Sequence, residues 1–158
     1  MSKIKWKPLI FFFVITFAFS ALSGILTRNN MSQYKEYNLP ILAPPSWLFP
    51  VVWTILYILM AISAYLIYTS DASKKEKTDS LFLYFLQLII NFFWSIIFFN
   101  LNQLFIGFLW IVLLWAIVIF MIVAFHKIKP IAAYLQIPYL LWISFAAYLN
   151  LQIYFLNK

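Results

Sequence analysis

Five stretches of this chain are apolar over a length that only a lipid bilayer readily accommodates. They run over residues 8–27, 47–68, 81–101, 104–125 and 131–156. Roughly 20 apolar residues are needed to cross a hydrocarbon core of about 30 Å. Backbone inside that core must satisfy its own hydrogen bonds, so each stretch is expected to be a helix. None of the four acidic residues, Glu36, Asp71, Glu76 and Asp79, falls inside a span. The expected fold is therefore an all-α membrane protein, a single-domain five-transmembrane-helix bundle over residues 1–158. A long extracytoplasmic loop, residues 28–46, joins helices 1 and 2.

Composition supports lipid as the solvent. Hydrophobic residues make up 66% of the chain and charged residues 9%, far from the balance of a soluble domain. There is no cysteine, which excludes disulfides and cysteine metal sites. The net charge of +7 would suit nucleic acid if it formed a basic face. Instead, the basic residues sit at the edges of the spans, which is how membrane proteins mark their boundaries. Eight of them lie on the N-terminal side of the membrane (Lys3, Lys5, Lys7, Lys74, Lys75, Lys77, Lys127 and Lys129) and three on the other (Arg28, Lys35 and Lys158). That imbalance predicts a cytoplasmic N-terminus and a C-terminus outside. The first segment also has the shape of a signal peptide. Its apolar run is long enough to span, which favours a retained helix.

Polar side chains within spans are few and therefore informative. Gln87, Asn91 and Ser95 recur at i, i+4 and i+8 and share one face of span three. Such a stripe serves either as hydrogen-bond glue between helices or as the wall of a ligand cavity. Ser20 and Gly24 allow a close helix contact on span one. In span five, Pro138 cannot donate to the carbonyl of Tyr134 and should kink the helix. Beyond it Tyr139, Trp142, Ala146 and Asn150 share a face that suits either helix packing or a flat apolar ligand.

The stretch "LAPPSWLFPVVW" (42–53) breaks the backbone just before span two. Pro44 and Pro45 hold the chain extended, and Ser46 is expected to cap the helix. Trp47 is expected at the membrane interface, where indole is comfortable. Trp53 lies deeper, on one face with Tyr57, Ala61 and Ala64. The lone histidine, His126, sits beside Lys127 at a span end and reads as an interfacial residue.

Three ordered motifs resemble the TspO/MBR family of tryptophan-rich sensory and translocator proteins: "PPSWLFPVVWTILYILMAISAYL" (44–66), "QLIINFFWSIIFF" (87–99) and "IPYLLWISFAAYLN" (137–150). The resemblance implies a homodimeric five-helix bundle with an apolar pocket beneath the first loop. It implies a porphyrin-like ligand such as protoporphyrin IX or haem, a sterol in some members, and no required cofactor. The positions that match the family's pocket or motifs are Pro45, Trp53, Asn91, Trp94, Trp142, Ala146 and Asn150. With Tyr34, Trp47, Tyr57 and Tyr139, these make up the expected ligand-binding set. Trp53 and Trp142 would be the participating indoles if the protein degraded porphyrin with light and oxygen. A stress sensor acting through a partner protein is a further alternative. The first loop departs from the family pattern, with Lys35 following Tyr34 and Leu42 standing where tryptophan is usual. Trp110 replaces an acidic residue of helix four, and Leu151, Tyr154 and Lys158 fit a loose sterol-binding pattern.

Overall fold

The computed structural model describes residues 4–158, which places Lys3 of the basic N-terminal group outside the described residues. The described residues form six helices and no strand. These are α1 (Trp6–Thr27), α2 (Leu48–Tyr68), α3 (Lys74–Ser95), α4 (Leu104–Ile128), α5 (Pro130–Tyr134) and α6 (Ile137–Leu156). A 3-10 turn, Met31–Lys35, interrupts the link between α1 and α2, and a π-helical segment, Ile96–Asn100, continues α3. Five of the resulting rods are long and apolar enough to cross a membrane, α5 and α6 counting together as one.

The rods are greasy on the outside. Ile10, Phe11, Val14, Phe82, Phe120 and Leu141 are all exposed, an arrangement that is stable only with lipid as the surrounding solvent. Where helices touch, small residues let backbones approach: Ala61, Ala64, Ala132 and Ala133 are buried. Polar pairs tie the rods together. The Thr16 hydroxyl bonds the Tyr84 hydroxyl between α1 and α3, and Ser63 Oγ donates to the Ala132 carbonyl at 2.6 Å between α2 and α5. Trp110 donates its indole N–H to the Ile90 carbonyl of α3 at 2.8 Å.

Three expectations need correction. The third span was expected to begin at residue 81, but α3 starts at Lys74. Ser73 and Glu76 form a reciprocal capping box there, so two orphan N–H groups are satisfied and the helix reaches a turn and more beyond the apolar run. Ser46 does not cap α2. Trp47 occupies that position without a side-chain bond, and the chain turns in through Leu48 N–H donating to the Pro45 carbonyl at 3.0 Å. Finally, Gly24 does not make a close helix contact, since a Cβ there would meet nothing within 4 Å.

The break at Pro138 is present and complete. α5 ends at Tyr134, and α6 restarts at Ile137 with the proline in its first turn. That position costs a helix least, because its missing N–H would have had no partner anyway. α2 packs along α5 and only lightly against α6. The two therefore part toward the α1–α2 link, and space opens between them.

Candidate functional site

That space is a cavity of about 290 Å3 enclosed by α1, α2, α6 and the end of α3, with Tyr34 and Ser46 of the linking segment over it. Each wall follows from local structure. On α2, helical spacing brings Pro50, Trp53 and Tyr57 to the cavity. The Trp53 and Tyr57 rings stack at 5.5 Å with 28° between planes. On α3, Trp94 and Ser95 line it, and the π-helical turn adds both Phe98 and Phe99. The change of helical pitch displaces the residues that follow, a device common at functional sites. Trp94 stacks on Phe98 at 5.4 Å and 25°. On α6, Ala146, Leu149 and Asn150 complete the floor.

The α1 wall is different in character. Ser20, Ser23, Gly24 and Thr27 line it, giving hydroxyls and open space where the other walls carry rings. Asn150 is a fixed polar point. Its amide oxygen accepts from the Trp94 indole N–H at 3.3 Å, and its amide nitrogen donates to the Leu104 carbonyl at 2.7 Å. Gly107 makes room for it, since a Cβ there would stand 3.1 Å from Asn150 Oδ1.

No charged side chain lines the cavity, and among the described residues no group of histidine, cysteine or acidic side chains could hold a metal ion. The arrangement offers stacking faces, hydroxyls and one amide. Such a set of groups is chemically suited to a flat apolar molecule, with the amide as its one polar anchor.

The linking segment is held down at several points. Tyr34 is 6% exposed; its hydroxyl donates to the Pro44 carbonyl at 3.3 Å, and its ring meets Phe49 edge-on at 5.2 Å. Burial pushes its phenol above the ordinary value of 10. Asparagines pin the rest. Asn30 donates to Asn100 Oδ1 at 2.9 Å, and the Tyr37 hydroxyl donates to Asn102 Oδ1 at 2.9 Å. Asn102 has a φ of 52°, a left-handed conformation that asparagine tolerates better than most residues. Asn38 N–H donates to Asn157 Oδ1 at 2.9 Å, and Asn157 Nδ2 donates back to the Asn38 carbonyl at 3.1 Å.

Six residues of the expected set come together on the cavity: Tyr34, Trp53, Tyr57, Trp94, Ala146 and Asn150. Five do not line it. Pro45 lies beside the lining residue Ser46, and Trp47 points outward at 66% exposure. Asn91 lies behind the wall and donates to the Tyr57 hydroxyl at 3.3 Å. Tyr139 is buried, its hydroxyl donating to Gln87 Oε1 at 2.8 Å. Trp142 packs edge-on against Phe49, 5.9 Å between centroids, and Phe49 is the residue that faces the cavity. The polar stripe on α3 thus has both of its possible roles. Gln87 and Asn91 are glue, and Ser95 is wall.

Phe98 and Phe99 escaped sequence reasoning because nothing in "SIIFFN" announces a π turn. The α1 wall did carry a signal. Ser20, Ser23, Gly24 and Thr27 are small or hydroxylated at helical spacing, although that pattern also fits a helix contact.

Comparison with known proteins agrees with the motifs. A profile described as the TspO/MBR family matches residues 11–156. The tryptophan-rich protein TspO of Chlorobaculum tepidum is 40% identical over 72% of this chain and 72% of its own. The translocator protein of Sus scrofa is 30% identical over 92% of this chain and 87% of its own. The tryptophan-rich sensory protein of Cereibacter sphaeroides is 30% identical over 87% of this chain and 84% of its own.

Proposed function

The chain belongs to the TspO/MBR family of multi-pass membrane proteins, and from that premise we propose that it binds porphyrin-like and related hydrophobic molecules in the aromatic cavity. The observation that carries the reading is the wall of Trp53, Tyr57, Trp94, Phe98 and Phe99 around an uncharged space. A porphyrin is a flat apolar disc with carboxylates on one edge. Rings stack on such a disc with ring centroids roughly 4.5–7 Å apart. The whole disc exceeds the present volume of about 290 Å3. Binding then requires the segment over the cavity to move, and the porphyrin's carboxylate edge stays outside the aromatic wall, where Arg28 and Lys35, next in sequence to the lining residues Thr27 and Tyr34, can meet it. In this reading the N-terminus faces the cytoplasm, the covering segment is extracytoplasmic, and the functional unit is a homodimer in the bilayer.

The test is titration of the purified protein in neutral detergent with protoporphyrin IX, following tryptophan emission and the porphyrin absorption band. Saturable quenching with a shifted band is expected, weakened by Trp53→Ala. No saturable change at micromolar concentrations would refute the reading.

A second reading, light- and oxygen-dependent breakdown of the bound porphyrin, draws on the same wall. Trp53 and Trp94 line the cavity, whereas Trp142 meets it through Phe49. Illumination of the complex in air separates the two. A new pigment that depends on Trp53 supports breakdown, and an unchanged spectrum supports binding alone.

A further inference from the structure

The opposite end of the bundle carries a second concavity, larger than the first at about 820 Å3 and built from the start of α1, the end of α2, the α2–α3 link and the α4–α5 junction. Three lysines from distant parts of the chain line it: Lys5, Lys127 and Lys129. Their backbone positions are fixed. The Lys5 N–H donates to the Tyr65 hydroxyl at 3.1 Å. Lys127 is in the last turn of α4, and Lys129 is the single extended residue between α4 and α5. Two carboxylates share the concavity, Asp71 and Glu76. Glu76 is already engaged, accepting from Ser73 N–H at 2.9 Å and Ser73 Oγ at 2.6 Å. The concavity thus gathers three ammonium groups and two carboxylates, an excess of one positive charge.

Lysines at span ends have an ordinary explanation, since basic residues mark the cytoplasmic boundary. That explanation requires only that they reach the interface. It does not require them to converge on one concave surface from both ends of the sequence. We propose that this concavity is a binding site for a phosphate-bearing anion, separate from the aromatic cavity. Lysine binds phosphate as a point charge, and three lysines that line one concavity can act on a single anion together. The headgroup of an anionic lipid and a free phosphate compound share this chemistry.

Two probes distinguish the sources: inorganic pyrophosphate and a short-chain phosphatidylglycerol, each titrated into the full chain in neutral detergent. The expected result is saturable binding that weakens as salt rises. Each lysine lost should lower affinity roughly fivefold, so Lys127→Gln with Lys129→Gln should lower it by more than tenfold. Binding of both probes marks a site open to soluble phosphates, and binding of the lipid alone marks a headgroup site. Asp71→Asn gives an independent check, because removing one of the two competing carboxylates should strengthen either probe. Both variants should melt like the parent and keep its response to protoporphyrin IX, whatever that response is. The proposal is overturned if neither probe binds, if the lysine pair can be removed without effect, or if Asp71→Asn weakens binding.

Discussion

Asn38 and Asn157 exchange hydrogen bonds, the Asn38 backbone N–H to the Asn157 side-chain oxygen at 2.9 Å and the Asn157 side-chain nitrogen to the Asn38 carbonyl at 3.1 Å. The segment over the cavity is thereby tied to the end of α6. Each such bond contributes about 1 kcal/mol net. Asn157→Leu should therefore speed amide hydrogen exchange over residues 36–39 about tenfold or more. Exchange in the centre of α4 should stay unchanged. Equal acceleration in both regions would mean that the bonds hold up the whole bundle and not this segment.

Two glycines separate binding from stability. A side chain at Gly24 would extend into free space within the cavity, so Gly24→Leu should fold normally and occupy the ligand's place. We expect an unchanged melting temperature and at least tenfold weaker protoporphyrin binding. Gly107→Ala should do the reverse. Its methyl group would press on Asn150 Oδ1 from 3.1 Å and strain the bond to Trp94, at a cost of about 1–3 kcal/mol. Thermal melting beside ligand titration reads both effects.

The two candidate indoles should differ. Trp53 lines the cavity and Trp142 stands behind Phe49. Trp53→Phe should weaken porphyrin binding severalfold and remove part of the quenchable emission. Trp142→Phe should leave affinity within about twofold, because it exchanges one ring for a smaller one outside the wall. Titrations of both variants side by side check the order, and a larger effect at Trp142 would reverse it.

Tyr34 gives the cover an alkaline limit. Burial favours the neutral phenol, so its folded-state value lies above 10. The stabilisation it gives is complete below its unfolded value and is lost as pH rises through the folded one. The chain has no cysteine, so Leu42→Cys allows a single environment-sensitive fluorophore on this segment. Its signal should change above pH 10, and Tyr34→Phe should remove that step. Persistence of the step in the Phe variant would assign it to other groups, such as the lysines.

Gln136 is fully buried at the break between α5 and α6, and neither its amide oxygen nor its nitrogen has a partner. A buried unpaired amide costs about 1–3 kcal/mol. Gln136→Met keeps the length and removes the polar atoms, and it should raise the melting temperature in detergent. A fall would show that the amide is satisfied in the membrane.

The sequence made the spans legible because lipid imposes a length on any apolar helix, and no other part of the fold is so tightly ruled. The α3 start was misread for the same reason. Hydropathy sees where apolar residues begin, whereas Ser73 and Glu76 begin the helix in water. Pro138 announced its break because the chemistry is local to one residue. The site was only partly legible. Trp53, Tyr57, Ala146 and Asn150 lie on helical faces that spacing can find. Whether such a face meets a cavity or another helix depends on how α2 and α6 diverge, and no local pattern encodes that. Asn91 and Ser95 share a stripe on α3, yet only Ser95 reaches the cavity.

The uncharged lining has a consequence for direction. A molecule with an apolar body and an ionised edge can enter this cavity only body first. Its charges halt at the mouth, where desolvating them would cost more than the rings return. Orientation is therefore decided at the threshold, before any specific contact forms. If the proposed binding holds, every guest of this kind would arrive facing the same way, with its ionised edge outside the aromatic wall.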